Sequence, residues 1–163
     1  MANTKEMVTS GKTSGVIHCL TIPLYDETAL LPNAAIAEVI AYKDPTPIDD
    51  GPDWFLGYLE WRDIKVPLIS FEAISGKEVH PPVKNSRVAV LNTLTGNAQI
   101  PYVGILTQGI PSLAIVQEQG LEDKGDADEG RPSVGSFVEL GGVEALIPNI
   151  DDIEQRLTRL SFG

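Results

Sequence analysis

The stretch from Trp54 to Glu72, WFLGYLEWRDIKVPLISFE, constrains the fold more than any other. Phe55, Tyr58, Leu59 and Trp61 supply the aromatic and aliphatic bulk that suits a pleated surface. Ile64, Val66, Leu68 and Ile69 continue it beyond the polar pair Arg62 and Asp63. The pattern predicts a β-hairpin with two charges at its tip. Strands of this kind fix the backbone while the turn stays in water, so the tip offers a small, rigid polar pattern to a partner. Recognition rather than chemistry is the expectation.

The 163 residues suffice for one ordinary domain, or for two very small halves sharing a core. A hydrophobic share of 42% is ample for a packed interior. The formal net charge of −11 repels phosphate backbones and anionic lipid, which argues against nucleic acid and membrane partners and favours a basic one. No apolar run approaches the roughly 18 residues of a membrane helix, so no membrane insertion is expected. Cys19, the single cysteine, has no internal disulfide partner, and the opening residues MANTKEMVTSGKTSG lack the apolar centre of a signal peptide. A cytoplasmic protein is expected.

Residues 1–14 are polar and without period, as in a frayed terminus. The run Val16 to Leu24 predicts a strand, and Tyr25, Asp26 and Glu27 a tight turn into Ala29, Leu30 and Leu31. Ala34 to Tyr42 fits strand or helix on pattern alone; the β-branched Ile36, Val39 and Ile40 favour strand. Asp44 to Asp53, with three prolines, reads as an exposed loop. The segment 73–85, carrying Gly76, Pro81 and Pro82, reads as a connector and marks a boundary between halves near residue 80.

Beyond it, Arg87–Leu91, Ile100–Leu106 and Ile110–Val116 are short buried runs, with a turn at Thr95, Gly96 and Asn97. The acid-rich segment from Gln117 to Pro132 reads as a mobile loop. Gly141 and Gly142 between Val134–Leu140 and Val143–Ile147 signal a two-residue hairpin. Ile150, Ile153, Leu157 and Leu160 recur at helical spacing, with Asp151, Asp152 and Glu154 early and Arg156 and Arg159 late, as the helix dipole favours. About ten short strands and a C-terminal helix make an all-β chain. Two small barrels of about five strands each, over 15–80 and 81–160, would remove exposed edges.

Catalytic signals are sparse. Gly11, Lys12 and Thr13 resemble the end of a phosphate-binding loop, but Glu6 stands where its first glycine should be. His18 and Cys19 are strand neighbours whose side chains point to opposite faces, so they do not form a nucleophile–base pair and are expected in the core. His80 sits in the connector without enough histidine or cysteine for a zinc site. Glu60 and Glu72 lie in or beside the hairpin. A carboxylate pair there is the one route to acid–base work, so a small β-barrel enzyme or ligand-binding protein using Glu60, Glu72 and perhaps His80 is the competing reading. No cofactor or metal is expected.

Laid out this way, the chain from about Val16 to Leu160 resembles the CheW family of chemotaxis coupling proteins. The family's hairpin runs close to G-V-x-N-L-R-G, three residues, then P-V-x-D-L-R. Here Gly57, Arg62 and Pro67 keep that spacing, with Glu60, Asp63 and Glu72 in place of the usual asparagine, glycine and arginine. Ile36 to Ile40 resembles the family's V-x-E-I-I strand, and Arg87 to Leu91 the run that opens the second barrel. Among divergent members, the first to compare are the accessory CheW-like proteins of pilus chemosensory systems, such as ChpC. The resemblance implies two five-stranded SH3-like barrels around a shared core. It also implies a non-catalytic adaptor between a methyl-accepting chemoreceptor and a CheA-type histidine kinase. The chain's length leaves no room for a fused kinase or receiver, so a stand-alone adaptor is expected. Arg62 is expected to pair with a partner carboxylate, with Ile36 and Val39 as apolar anchors and Glu38, Glu60 and Asp63 rejecting wrong partners by charge.

Overall fold

The computed structural model describes residues 15–94, 99–117, 120–126 and 131–160, with backbone alone for 123–126. The predicted N-terminal fray and the turn at 95–97 lie outside the described residues. Strands β1 (Val16–Leu24), β2 (Glu27–Pro32), β8 (Ser112–Gln117), β9 (Leu121–Asp126), β10 (Val134–Leu140) and β11 (Val143–Pro148) form one sheet in the order β8-β1-β2-β11-β10-β9. Strands β3 (Ile36–Ala41), β4 (Phe55–Trp61), β5 (Ile64–Ile69), β6 (Arg87–Asn92) and β7 (Tyr102–Leu106) form the other, in the order β3-β6-β7-β5-β4. The all-β class, the C-terminal helix and the hairpins at Tyr25–Asp26, Arg62–Asp63 and Gly141–Gly142 are as the sequence predicts.

The connector near residue 80 does not divide the sheets. β1 and β2 belong with β8 to β11, and the strand counts are six and five rather than five and five. The cause lies in β1, which is buried on both faces in its second half. Cys19 faces a cluster with Leu30, Val116 and Val138, while Leu20 and Ile22 face the central core. Exposed over Val16–His18 and buried mainly from Cys19 onward, the strand takes a partner on each edge: β8 over Val16–Thr21 and β2 over Cys19–Leu24. Pairing of β1 with β8 and of β2 with β11 closes the long sequence gaps in the sheet and draws the first hairpin into the second barrel.

Three apolar clusters follow. Leu59, Trp61, Val66, Leu68, Val88, Val90 and Leu106 fill the barrel of the five-stranded sheet, and the Cys19 cluster fills the other. Between them a larger core joins Ile22, Leu31, Ile69, Phe71, Leu91, Ile105 and Leu146 to both helices. Helix α2 (Ile150–Thr158) buries Ile150, Ile153 and Leu157 there, and its first turn is capped by Asn149 Oδ1 accepting from Asp152 N at 2.9 Å. A single turn, α1 (Phe71–Ile74), follows β5. Ser70 caps it by accepting from Ala73 N, so the hairpin strand stops at Ile69 rather than reaching Glu72.

Two further expectations are corrected. His18 is exposed, because β1's outer face is uncovered at its start, whereas Cys19 is buried with its thiol pKa raised by desolvation. The acid-rich segment contains β9, an edge strand whose Leu121 lies opposite Leu140 and packs on the Cys19 cluster. Carboxylates on an edge strand discourage pairing with other chains, and they also conceal the strand from a reading by composition.

Candidate functional site

The Arg62–Asp63 tip is a two-residue turn whose residues both have positive φ, 52° and 62°. Hairpins favour this geometry because its twist matches that of the flanking strands, although it suits glycine and asparagine better than arginine. The strands beneath it are closely held. Gly57, with φ 135°, lets the Thr46 backbone approach so near that a Cβ would lie 2.4 Å from Thr46 O. Thr46 and Tyr58 exchange two backbone hydrogen bonds of 2.8 Å there. The loop over 44–53 therefore lies along β4 and stiffens the hairpin from outside.

Near the tip, β3 and β4, the two edges of their sheet, come together. Trp61 Nε1 donates to Glu38 Oε1 at 2.8 Å, and Arg62 Nη2 reaches the same oxygen at 3.3 Å. The Arg62 guanidinium also lies over the Trp61 ring, 4.8 Å from its centroid, while Trp61 packs edge-on against Tyr102. One carboxylate thus helps close the barrel through Trp61 and orients Arg62. The Arg62 side chain is 68% exposed and that of Glu38 42%, so their attraction is screened and holds the arginine only weakly.

The other predicted residues scatter around this centre. Asp63 completes the turn. Glu60 is exposed on β4 opposite Lys65, and its backbone carbonyl accepts from Lys43 Nζ. These two lysines offset the acidic face that the substitutions at Glu60 and Asp63 suggest. Val39 is next to Glu38 in β3 and so points to the opposite face of the strand. Ile36 is half-buried against the central core. The structure brings Glu38 and Arg62 together, with Trp61 as the link that sequence reasoning missed, but leaves Ile36 and Val39 off that face.

The carboxylate pair of the competing reading is not assembled. Glu72 is 2% exposed on α1, where Oε2 accepts from Tyr25 N at 2.7 Å, so it secures the β1–β2 turn. It lines a cleft of about 570 Å³ with Tyr25, Asp26, Gly76, Lys77, Glu78 and His80, and Glu60 is not among the lining residues. His80 stacks face to face on Tyr25 with ring centroids 3.5 Å apart. Among the described residues, no three His, Cys, Asp or Glu side chains converge as metal ligands. Nor is any described helix long and apolar enough to cross a membrane.

A second surface went unrecognised in the sequence. Leu113 and Ile115 on β8 are 74% and 69% exposed, and they share the outer face of the six-stranded sheet with Val16 and His18. Period-two burial left the choice of face open, because Ala114 and Val116, on the other face, are equally apolar.

A family model described as CheW-like domain matches residues 18–157. The fold is similar to that of scaffolding protein TtCheW from Thermoanaerobacter tengcongensis. The TM-score is 0.69 at 16% identity, over 81% of this chain and 88% of that one. No curated protein matches the sequence. With the family model spanning most of its length and the two-sheet architecture agreeing, this chain belongs to the CheW-like domain family.

Proposed function

We propose that this protein is a non-catalytic cytoplasmic adaptor in chemotaxis-type signalling, coupling a methyl-accepting chemoreceptor to a CheA-type histidine kinase. Membership of the CheW-like family supports the class of role. The observation that carries the site is the state of Arg62, a cation on a rigid hairpin turn, two-thirds exposed and restrained among the described residues by a screened ion pair and a ring contact. Exchanging Glu38 for a partner carboxylate costs at most about 1 kcal/mol, because an exposed pair contributes no more than that. Once a partner excludes water, the same guanidinium binds a carboxylate far more strongly.

In this reading Glu38 and Trp61 pre-orient Arg62, and Glu60 and Asp63 discriminate by charge. Ile36 and Val39 do not share the tip's face, so their contribution is to a neighbouring part of the contact. The competing enzyme reading loses its carboxylate pair, since Glu72 is engaged with the β1–β2 turn.

Affinity capture from lysate of the source cell at low salt, comparing wild type with Arg62→Glu, tests the proposal. Low salt preserves screened contacts. Retention of a histidine kinase or chemoreceptor by wild type, weakened by the reversal, is expected. Capture of neither, or equal capture by both proteins, contradicts the coupling role or the tip's part in it.

A further inference from the structure

We infer that Arg131 is a positioning residue that sets the angle between the two barrels. It lies just before β10, where the six-stranded sheet meets the end of α1. Its Nη1 and Nη2 donate to Glu27 Oε2 and Oε1 at 2.9 and 3.0 Å, a two-pronged grip on the first residue of β2. The same guanidinium reaches across to the other barrel's chain. Nε donates to Ser75 O at 3.0 Å, and Nη2 to Ser75 Oγ at 3.0 Å. Ser75 follows α1, which continues directly from β5 of the five-stranded sheet. One planar group therefore bonds to both sheets' chains at once.

Arg156 of α2 acts on the next carbonyl. Its Nη1 donates to Ile74 O at 2.7 Å and lies 3.2 Å from Ser133 Oγ, which in turn donates to Asp152 Oδ2 at 2.7 Å. Two arginines thus take the buried carbonyls of Ile74 and Ser75 at the end of α1, where a helix end attracts positive charge.

The central core holds the barrels together, but apolar packing is non-directional and tolerates small rotations between layers. A planar fork bonding to a carboxylate and a serine does not. The Arg131 and Glu27 side chains are each 15% exposed, so removing them from water was costly, and similar apolar packing would be as stable or more so. What the pair adds that apolar packing would not is a fixed geometry. For a chain whose charged tip is on one sheet and whose exposed apolar face is on the other, that angle fixes how two surfaces face their partners. The inference concerns the isolated chain and does not depend on which partners bind.

The test is a distance distribution by double electron–electron resonance. Spin labels go at Lys65→Cys on β5 and Gln117→Cys on β8, in the full chain with Cys19→Ala. The expected result is one narrow distance with Arg131 present and a distribution about twofold broader in Arg131→Met. Arg131→Lys, which keeps charge but loses the fork, is expected to broaden it nearly as much. Val88→Ala, which opens a cavity inside the five-stranded barrel away from the joint, is expected to keep the narrow width despite its lower stability. An unbroadened Arg131→Met overturns the inference, as does equal broadening in Val88→Ala. If Arg131→Met does not fold, Arg131→Lys and Glu27→Gln decide: broader distributions uphold the inference and wild-type width in both overturns it.

Discussion

Two arginine–glutamate pairs in this protein share their chemistry and differ in setting. Arg62 and Glu38 meet at a hairpin tip through one 3.3 Å contact, both well exposed. Arg131 and Glu27 meet at the joint between sheets through two bonds near 3 Å, both largely buried. Water screens the first pair and leaves the arginine available. Water reaches the second pair far less, so its attraction is less screened and losing either partner costs more. The same residue types therefore serve recognition in one place and architecture in the other, and exposure decides which.

The contrast is broken most directly by deleting one partner from each pair. Arg131→Ala is expected to lower unfolding free energy by about 2 kcal/mol, since Glu27 loses its two-pronged partner and keeps the 3.4 Å contact with Lys77, whereas Glu38→Gln should cost less than about 1 kcal/mol. Urea denaturation measures both. Equal losses would remove the distinction.

Acidity sharpens it. Burial alone would raise the pKa of Glu27, but the hydrogen bond and charge of Arg131, with Lys77 behind them, outweigh it and hold the carboxyl below its ordinary 4.5. A depressed folded-state value means that the pair stabilises the protein above about pH 4.5, a benefit lost as pH falls through the folded pKa. The stability gap between wild type and Glu27→Gln should be full at neutral pH and shrink below pH 4.5. A gap constant down to pH 3 would contradict the assignment.

At the tip the backbone offers a smaller effect of opposite sign. Asp63 sits at φ 62°, a region that costs most residues about 1–2 kcal/mol and glycine little. Asp63→Gly should raise stability by about 0.5 kcal/mol, allowing for the freedom glycine adds to the unfolded chain and aspartate's tolerance of this region. A loss in thermal or urea denaturation would show that the aspartate has a partner in the fold. Smallest of all is the response of the Glu38→Gln stability difference to 1 M salt. It should be a few tenths of a kcal/mol, in keeping with a screened pair.

What could be read in the sequence followed from local signals. The hairpin around Arg62 announced itself through period-two bulk and a polar turn, the Gly141–Gly142 turn through its glycines, and α2 through its spacing and charge order. Features requiring long-range pairing stayed hidden. Nothing local says that β1, already paired with β2, takes β8 on its other edge, 91 residues away at Thr21 and Ser112. Glu72 reads as a candidate acid–base partner of Glu60 because its bond to the backbone of Tyr25 is invisible to side-chain reasoning. Arg131 was hidden inside a run of acids whose composition suggested a loop. Of the site, Glu38 and Arg62 were legible from the resemblance. Trp61 was read only as strand bulk, its indole N–H contact with Glu38 unsuspected.

We propose that Arg62 binds a partner because the hairpin fixes its backbone while water screens its pair with Glu38 and leaves the side chain available. The direct measurement is the dissociation constant of the captured histidine kinase or receptor for wild type and Arg62→Glu, by titration calorimetry, with circular dichroism showing both folded. A loss of roughly thirtyfold or more, about 2 kcal/mol, is the expected result for a hot spot. A loss below about threefold, about 0.7 kcal/mol, would remove Arg62 from the interface and the hairpin tip from the account.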